Sequence, residues 1–184
     1  ANGIDIDRHD SEPRAELRRQ LSLEKDDILL ASVGALAHGK GMDLLIAAVR
    51  RLRDQGLPLY LAIVGEGPEQ PQLAWQIEQW GLQHQVHLLG RQSEVAGLLR
   101  GGVDIYVSGA RDEAFGLALA EAGLAGLPVV APAVGGIPEV IDDGVTGRLV
   151  PIAQGDDGTG TPLDPETFVS DLARILEEVV MDES

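Results

Sequence analysis

The chain carries at residues 28–41 the stretch Ile28-Leu29-Leu30-Ala31-Ser32-Val33-Gly34-Ala35-Leu36-Ala37-His38-Gly39-Lys40-Gly41. Its first six residues have the length and composition of a buried strand, and apolar side chains recur at helical spacing in residues 42–55. The stretch therefore predicts a strand, a glycine-rich loop and a helix. Glycines allow the backbone to approach a ligand closely, and the start of a helix favours an anion.

The same alternation extends over most of the chain. Further strands are predicted at residues 59–64, 86–89, 104–107, 129–131 and 147–150. Further helices are predicted at residues 68–80, 95–99, 116–125, 138–141 and 165–180, with Pro68 near the start of its helix and Gly81 just past the end. We therefore predict one α/β domain over residues 1–184. It is a three-layer Rossmann-like domain with a parallel sheet of about six strands and helices on both faces.

Composition narrows the range of functions. The 184 residues are 44% hydrophobic and 24% charged, as in ordinary globular domains, but the net charge is −16. That charge argues against nucleic acid and against anionic lipid as partners. The chain has no cysteine, which excludes disulfides and thiolate chemistry and fits a cytoplasmic location. It contains neither an apolar run long enough for a transmembrane helix nor a signal peptide pattern.

The loop after the first strand is a candidate phosphate site. Lys40, one of only two lysines in the chain, lies between Gly39 and Gly41 just before the predicted helix. The spacing nearly matches the phosphate loop of nucleotide hydrolases, but Gly41 has no hydroxyl for the Mg²⁺ that this chemistry needs. The alternative is a flexible turn with a solvated lysine.

A second candidate site follows the predicted strand 104–107. Glu113 and Glu121 are eight residues apart, so on one helix they would be separated by about 80°. We expect Glu113 in the loop before the helix and Glu121 in its second turn, with free amides near Phe115, Gly116 and Leu117 between them. Those amides suit a diphosphate, and the carboxylates suit sugar hydroxyls. The alternative interpretations are an acidic helix start for Glu113, and a solvated edge or buried salt bridge for Glu121.

With these motifs the chain resembles the C-terminal, donor-binding domain of a family 4 retaining glycosyltransferase with the GT-B fold (glycosyl transferases group 1). The resemblance covers nearly the whole chain, and it is specific because many weak motifs occur in the family's order. They are 2–5, 33–34, 40–41, 43–45, 63–69, the E-x7-E motif 113–121, 128–131, 135–139 and 144–147.

The resemblance implies a site for a nucleoside diphosphate sugar, in which Glu113 and Lys40 are catalytic. Lys40 would neutralise the diphosphate, Glu113 would contact the transferred sugar, and Glu121 would hold the ribose. Backbone near Leu89 would pack against the base. The full set of implied donor-binding residues is Gly34, His38, Lys40, Gly90, Arg91, Glu113, Phe115, Gly116, Leu117 and Glu121. The resemblance implies no metal ion and no other cofactor, because Lys40 and the helix amides would replace Mg²⁺.

One departure from the family pattern concerns the diphosphate. Ala35 stands where the family usually has an arginine, and His38 or Arg111 is the expected substitute. The alternatives to an active donor-binding domain are a non-catalytic GT-B-like nucleotide-binding domain, a P-loop-like hydrolase and a nucleotide-sugar epimerase.

The resemblance also implies an N-terminal, acceptor-binding domain that this chain lacks. We therefore expect a hexosyltransferase whose isolated donor domain binds nucleotide but does not transfer sugar. Contact with a membrane would occur only through the missing domain. The surface that this domain would cover predicts weak self-association.

Overall fold

In a computed structural model of the protein the described residues are 12–156 and 158–182, so the motif at residues 2–5 lies outside them. The elements follow in the order α1 (Glu12–Gln20), β1 (Ile28–Val33), a 3₁₀ turn (His38–Lys40), α2 (Met42–Asp54), β2 (Leu59–Val64), α3 (Gln70–Gln79), β3 (Val86–Leu88), α4 (Val95–Gly102), β4 (Ile105–Val107), α5 (Leu117–Leu124), β5 (Val129–Pro132), α6 (Ile137–Val140), β6 (Arg148–Val150) and α7 (Pro165–Asp182).

The six strands form one parallel sheet in the order β3-β2-β1-β4-β5-β6, which confirms the predicted fold class. The order reverses direction between β1 and β4. At such a point the loops that leave two neighbouring strands diverge and open a crevice at the carboxyl edge of the sheet, where ligands of this fold bind. The loops at this crevice are the two that the sequence singled out.

Apolar side chains cover both faces of the sheet. On one face, Leu30, Leu61 and Ile105 pack with side chains of α2, α3 and α7. On the other face, Leu29 and Tyr106 pack with side chains of α1, α4, α5 and α6. Burial on both faces explains why the strands are continuous apolar runs rather than alternating ones.

Helix α1 was not predicted, because its sequence is dominated by charged residues. Its Leu17 is buried in the core, and its Arg18 is 9% exposed. The Arg18 guanidinium donates to Asp104 Oδ2 at 3.0 Å and to the carbonyls of Glu24 and Asp27 at 2.9 and 2.5 Å. Tertiary contacts therefore hold this helix, and no local pattern reports them.

Most predicted boundaries are within two residues of the structure, with two differences. Helix α3 begins at Gln70, and the proline of its first turn is Pro71 rather than Pro68. Helix α4 continues to Gly102, three residues beyond its predicted end. Gly81 has a φ of 62° just past α3, as predicted for a residue that ends a helix. No helix in the described part of the chain is both long and apolar enough to span a bilayer.

Candidate functional site

The loop after β1 is held against the loop after β4 by direct backbone contact. Gly41 has a φ of 59°, and a Cβ placed on it would lie 1.8 Å from the carbonyl oxygen of Gly109. Likewise, a Cβ on Gly109 would lie 2.3 Å from the carbonyl oxygen of Gly41. The Gly39 carbonyl accepts hydrogen bonds from the amides of Arg111 and Asp112 at 2.8 and 3.2 Å. Glycine is therefore required on both sides of the contact.

Lys40 and Glu113 meet across these two loops. The Lys40 Nζ is 2.6 Å from Glu113 Oε2, and the two side chains are 34% and 19% exposed. The other carboxylate oxygen, Oε1, accepts hydrogen bonds from the amides of Gly116 at 3.1 Å and Phe115 at 3.4 Å. One carboxylate thus contacts both the ammonium and the amides at the start of α5.

These contacts determine the charge state of Glu113. Partial burial opposes ionisation, but the hydrogen bonds from Lys40, Gly116 and Phe115 outweigh it and hold the pKa of Glu113 below its ordinary value. At neutral pH the site therefore contains an ionised Glu113 carboxylate in contact with the Lys40 Nζ. This arrangement shows that the groups around Glu113 can stabilise an anion.

A glycine pair after β5 supports the backbone of Glu113. The Glu113 carbonyl accepts a hydrogen bond from the Gly136 amide at 2.8 Å. A Cβ on Gly135 would lie 2.1 Å from that carbonyl oxygen, and one on Gly136 would lie 2.3 Å from the carbonyl oxygen of Ala114. The Gly-Gly motif of residues 135–136 therefore fixes the position of the loop that carries Glu113.

Helix α5 places Glu121 on its exposed side. Gly116, with a φ of 64°, precedes the helix, so Glu113 lies in the loop before it and Glu121 in its second turn, as predicted. Glu121 is exposed, and the interpretation of Glu121 as a buried salt bridge is therefore wrong. Phe115 and Leu117 are 74% and 71% exposed, so two large apolar side chains are accessible at the start of α5.

Tyr106 connects the crevice to the sheet. Its hydroxyl is 3.3 Å from the Val33 carbonyl oxygen and 3.4 Å from the Val33 amide, where β1 and β4 diverge. Burial raises the pKa of Tyr106, and the nearby charges of Glu113 and Glu121 raise it further. Tyr106 therefore stays protonated, and its hydroxyl lies within electrostatic reach of both carboxylates.

Three more glycines line the carboxyl edge of the sheet. The Gly65 amide donates to the Gly90 carbonyl at 2.9 Å. A Cβ on Gly65 would lie 1.8 Å from the Gly34 carbonyl oxygen. Residues after β1, β2 and β3 thus form a continuous backbone surface beside the crevice, and Arg91 extends from it as an exposed side chain.

The structure does not support Arg111 as a substitute for an arginine at position 35. Arg111 is 4% exposed, and its guanidinium contacts both Asp43 carboxylate oxygens at 2.7 Å and the His38 carbonyl at 2.9 Å. The buried ion pair commits this cation to Asp43.

His38 is also engaged away from Glu113. Its Nε2 is 3.1 Å from Thr161 Oγ1, and its Nδ1 is 3.8 Å from Glu69 Oε1. The ring thus bridges α3 and the loop before α7, and the cation in contact with Glu113 is Lys40.

Several contributors to the site were not found from the sequence. Three of them form hydrogen bonds with residues 43–73 positions away along the chain: Asp43, Tyr106 and Gln154. Gly109 forms its contact with another loop. The signal that could have found Asp43 is its place in the first helical turn after Lys40, but it matches an ordinary acidic helix start equally well.

The profile of the family described as "Glycosyl transferases group 1" matches residues 13–158. The D-inositol 3-phosphate glycosyltransferase of Actinosynnema mirum is 36% identical in an alignment of 159 positions, which covers 80% of this chain and 38% of that protein. The phosphatidylinositol N-acetylglucosaminyltransferase gpi3 subunit of Schizosaccharomyces pombe is 36% identical over 66% of this chain and 27% of its own length. The chain thus spans about two-fifths or less of these curated relatives.

Solved structures of similar fold also include a glycosyltransferase. WaaG, a glycosyltransferase involved in lipopolysaccharide biosynthesis, superposes with a TM-score of 0.73 at 26% identity, over 92% of this chain and 42% of that chain. HepE of Anabaena, solved in complex with UDP and glucose, superposes with a TM-score of 0.72 at 26% identity, over 91% of this chain and 43% of that chain.

Proposed function

The chain belongs to the glycosyl transferases group 1 family, and from this membership we propose that it binds a nucleoside diphosphate sugar in the crevice between β1 and β4. It forms the donor half of a GT-B glycosyltransferase. An acceptor-binding half, outside this chain, completes the catalytic cleft. The family match and the place of the crevice at the reversal of strand order support this proposal.

The observation that carries the proposal is the set of contacts around the Glu113 carboxylate. An ammonium at 2.6 Å and a helix-start amide at 3.1 Å already bind one anion there. A diphosphate offers more acceptor oxygens and more charge than a carboxylate, so the same groups suit it better. Donor binding therefore replaces the Glu113 carboxylate on Lys40 and on the amides.

The released Glu113 then faces the sugar. We propose that its negative charge stabilises the positive charge that develops at the anomeric carbon. The acceptor oxygen bonds to that carbon on the face from which the diphosphate departs, so the configuration is retained. The acceptor proton passes to the departing phosphate oxygen. Lys40 and the amides near Gly116 neutralise the leaving diphosphate without a metal ion.

The remaining donor contacts follow the same edge of the sheet. Glu121, exposed in the second turn of α5, accepts hydrogen bonds from the ribose hydroxyls. Backbone at Leu89, Gly90 and Arg91 packs against the base. HepE and the pneumococcal O-GlcNAc transferase GtfA were solved with UDP, so uracil is the base to test first, and the transferred group is a hexose.

A non-catalytic nucleotide-binding domain is the second candidate. It is favoured by Ala35, because neither Arg111 nor His38 replaces the missing arginine. It is disfavoured by the presence of Glu113 together with Glu121, because Glu113, which is assigned to the transferred sugar, has no role in a domain that only binds nucleotide.

The surroundings of the site are consistent with a partner domain. Exposed apolar side chains of Phe115, Leu117 and Leu124 lie beside the carboxylates. We propose that the acceptor domain covers this surface in the complete cytoplasmic enzyme. The isolated chain then binds nucleotide and self-associates weakly, but it does not transfer sugar.

The experiment is thermal unfolding of the chain with UDP, GDP, ADP and TDP, with and without Mg²⁺. A ligand present at about 100 times its Kd adds roughly 2.7 kcal/mol, and at about 2–4 °C per kcal/mol the Tm rises by roughly 5–11 °C. We expect a metal-independent rise with UDP that is lost in Glu121→Ala.

The matched control is Glu177→Ala, an exposed glutamate on α7 away from the crevice, which should keep the full rise. If no nucleotide moves the Tm of the wild-type chain, the proposed donor site is wrong. If the rise requires Mg²⁺, the metal-independent chemistry is wrong.

A further inference from the structure

We infer that Arg111 is a positioning residue. Its ion pair with Asp43 and the hydrogen bond from Gln154 to its carbonyl together hold Lys40 and Glu113 at contact distance. The positioning itself follows from the contacts described below. Only its consequence for nucleotide affinity rests on the proposed function.

Two ion pairs connect the same two segments of the chain. Asp43 is three residues after Lys40, and Arg111 is two residues before Glu113. Lys40 contacts Glu113 at 2.6 Å, and Arg111 contacts Asp43 through two bonds of 2.7 Å. The second pair thus ties together the segments that carry the first.

The two pairs differ in how far their cations are exposed. The Arg111 side chain is 4% exposed and its partner Asp43 35%, whereas Lys40 is 34% exposed and its partner Glu113 19%. A bidentate guanidinium–carboxylate contact in a buried setting fixes both distance and orientation. A single contact between a lysine and a carboxylate does not, and it can be exchanged for a ligand. The Arg111–Asp43 pair, with its buried guanidinium and two bonds, is therefore the fixed member, and the Lys40–Glu113 pair is the exchangeable one.

A third segment of the chain contacts the main chain of Arg111. Gln154 Nε2 donates to the Arg111 carbonyl at 2.6 Å and also donates to the Gly160 carbonyl. Gly160 has a φ of 67°, and a Cβ on it would lie 2.5 Å from the Arg111 carbonyl oxygen. A bridge between Gln154 and Pro162 closes this segment. Arg111 is thus held by its side chain on α2 and by its carbonyl on the segment before α7.

The consequence for the site is specific. Glu113 follows Arg111 by two residues, so release of Arg111 allows the Glu113 backbone to move and lengthens the contact with Lys40. The hydrogen bond from Lys40 holds the pKa of Glu113 below its ordinary value, and that value should therefore rise when the contact is loosened. A loss of general stability does not by itself have this effect.

The chain supplies a matched control at the other end of the sheet. Arg18 is 9% exposed and is paired with Asp104 at 3.0 Å, but it lies at the amino ends of the strands. Substitution of either arginine by methionine removes the ion pair of a buried guanidinium. Only one of the two pairs spans the loops of Lys40 and Glu113.

The experiment compares Arg111→Met with Arg18→Met in the complete chain. The Glu113 pKa is followed by NMR through its carboxyl carbon, and UDP affinity is measured by calorimetry. Both variants should lower the Tm. Arg111→Met alone should raise the Glu113 pKa and weaken UDP binding by about fivefold or more, and Arg111→Lys should restore part of both.

Gln154→Leu keeps the ion pair and tests the same idea should Arg111→Met not fold. It should raise the Glu113 pKa by a smaller amount, whereas Gln20→Leu on α1 should leave it unchanged. An unchanged Glu113 pKa in the folded Arg111 and Gln154 variants overturns the inference. If wild-type protein binds none of the four nucleoside diphosphates, the proposed function fails, and the NMR titration still decides the positioning role.

Discussion

The two ends of the sheet are held together by different means. At the amino end, Arg18 reaches from α1 to Asp104 and to the carbonyls of Glu24 and Asp27. At the carboxyl end, backbone lies directly on backbone at paired glycines such as Gly41 and Gly109. The first end is tied by the side chain of Arg18, and the second by close backbone contact together with the Arg111–Asp43 ion pair.

The difference follows from what each end does. At the amino end, one guanidinium donates hydrogen bonds to several carbonyls at once. These contacts stabilise that end and leave the carbonyls already hydrogen-bonded. At the carboxyl end, the glycine contacts fix the loops through backbone hydrogen bonds, such as that from the Arg111 amide to the Gly39 carbonyl, and the Lys40 side chain is left to pair with Glu113. Under the proposed function, Lys40 and the amides near Gly116 are the groups that a ligand reaches at this end, where close backbone contact depends on residues without a side chain.

Substitution of Gly41 by alanine should have the largest effect. A Cβ there lies 1.8 Å from the Gly109 carbonyl oxygen in a left-handed backbone conformation, so we expect a loss of about 3–5 kcal/mol. That loss corresponds to a Tm lower by roughly 6–20 °C. Gly56→Ala, also at positive φ but in open space, should cost only about 1–2 kcal/mol. Equal losses, measured by urea unfolding, would show that close backbone approach contributes nothing.

The chain has two lysines, one near each end of the sheet, and substitution of each gives a second test. Lys40→Met should weaken UDP binding by about tenfold or more, because a hydrogen bond to a charged group is worth about 1.5–3 kcal/mol. Lys25→Met, near Arg18 at the amino end, removes the same charge from the chain and should leave UDP affinity unchanged. Calorimetric titration of both variants measures the difference. Similar weakening in both would mean that net charge, rather than the position of Lys40, governs affinity.

The smallest effect concerns pH. The pKa of Glu113 is lower in the folded protein than its ordinary value of 4.5, so the folded state is stabilised above that value. This stabilisation should disappear as the pH falls through the depressed folded pKa. Glu113→Gln lacks this contribution. The difference in unfolding free energy between wild type and Glu113→Gln should therefore be constant above about pH 5 and shrink below about pH 4. A difference that does not change down to pH 3 would mean that Glu113 is not paired with Lys40.

The fold was largely predictable from the sequence. Strands β1 and β2 begin and end at the predicted residues, because burial on both faces produces a continuous apolar run with abrupt ends. Helix α1 was missed because its stability comes from Leu17 in the core and from Arg18 on distant carbonyls. Its own sequence, rich in charge, carries no helical apolar stripe.

The site was predictable where it depends on local spacing and not where it depends on distant pairing. The positions of Glu113 before α5 and Glu121 within it follow from eight-residue spacing around a helix start. The pairing of Arg111 with Asp43 joins residues 68 apart, and it removed Arg111 from its expected place beside the diphosphate. The chemical roles of Lys40, Glu113 and Glu121 stay predictions.

The Gly41–Gly109 contact has a consequence for anyone who recombines this domain with its relatives. Each Cβ would strike the carbonyl oxygen of the other loop rather than a side chain, so no substitution on the facing loop can make room. No second substitution can therefore compensate for a side chain at either position. A chimera that takes residues 34–41 from one parent and 108–116 from another must inherit glycine at both positions, or receive both loops from the same parent.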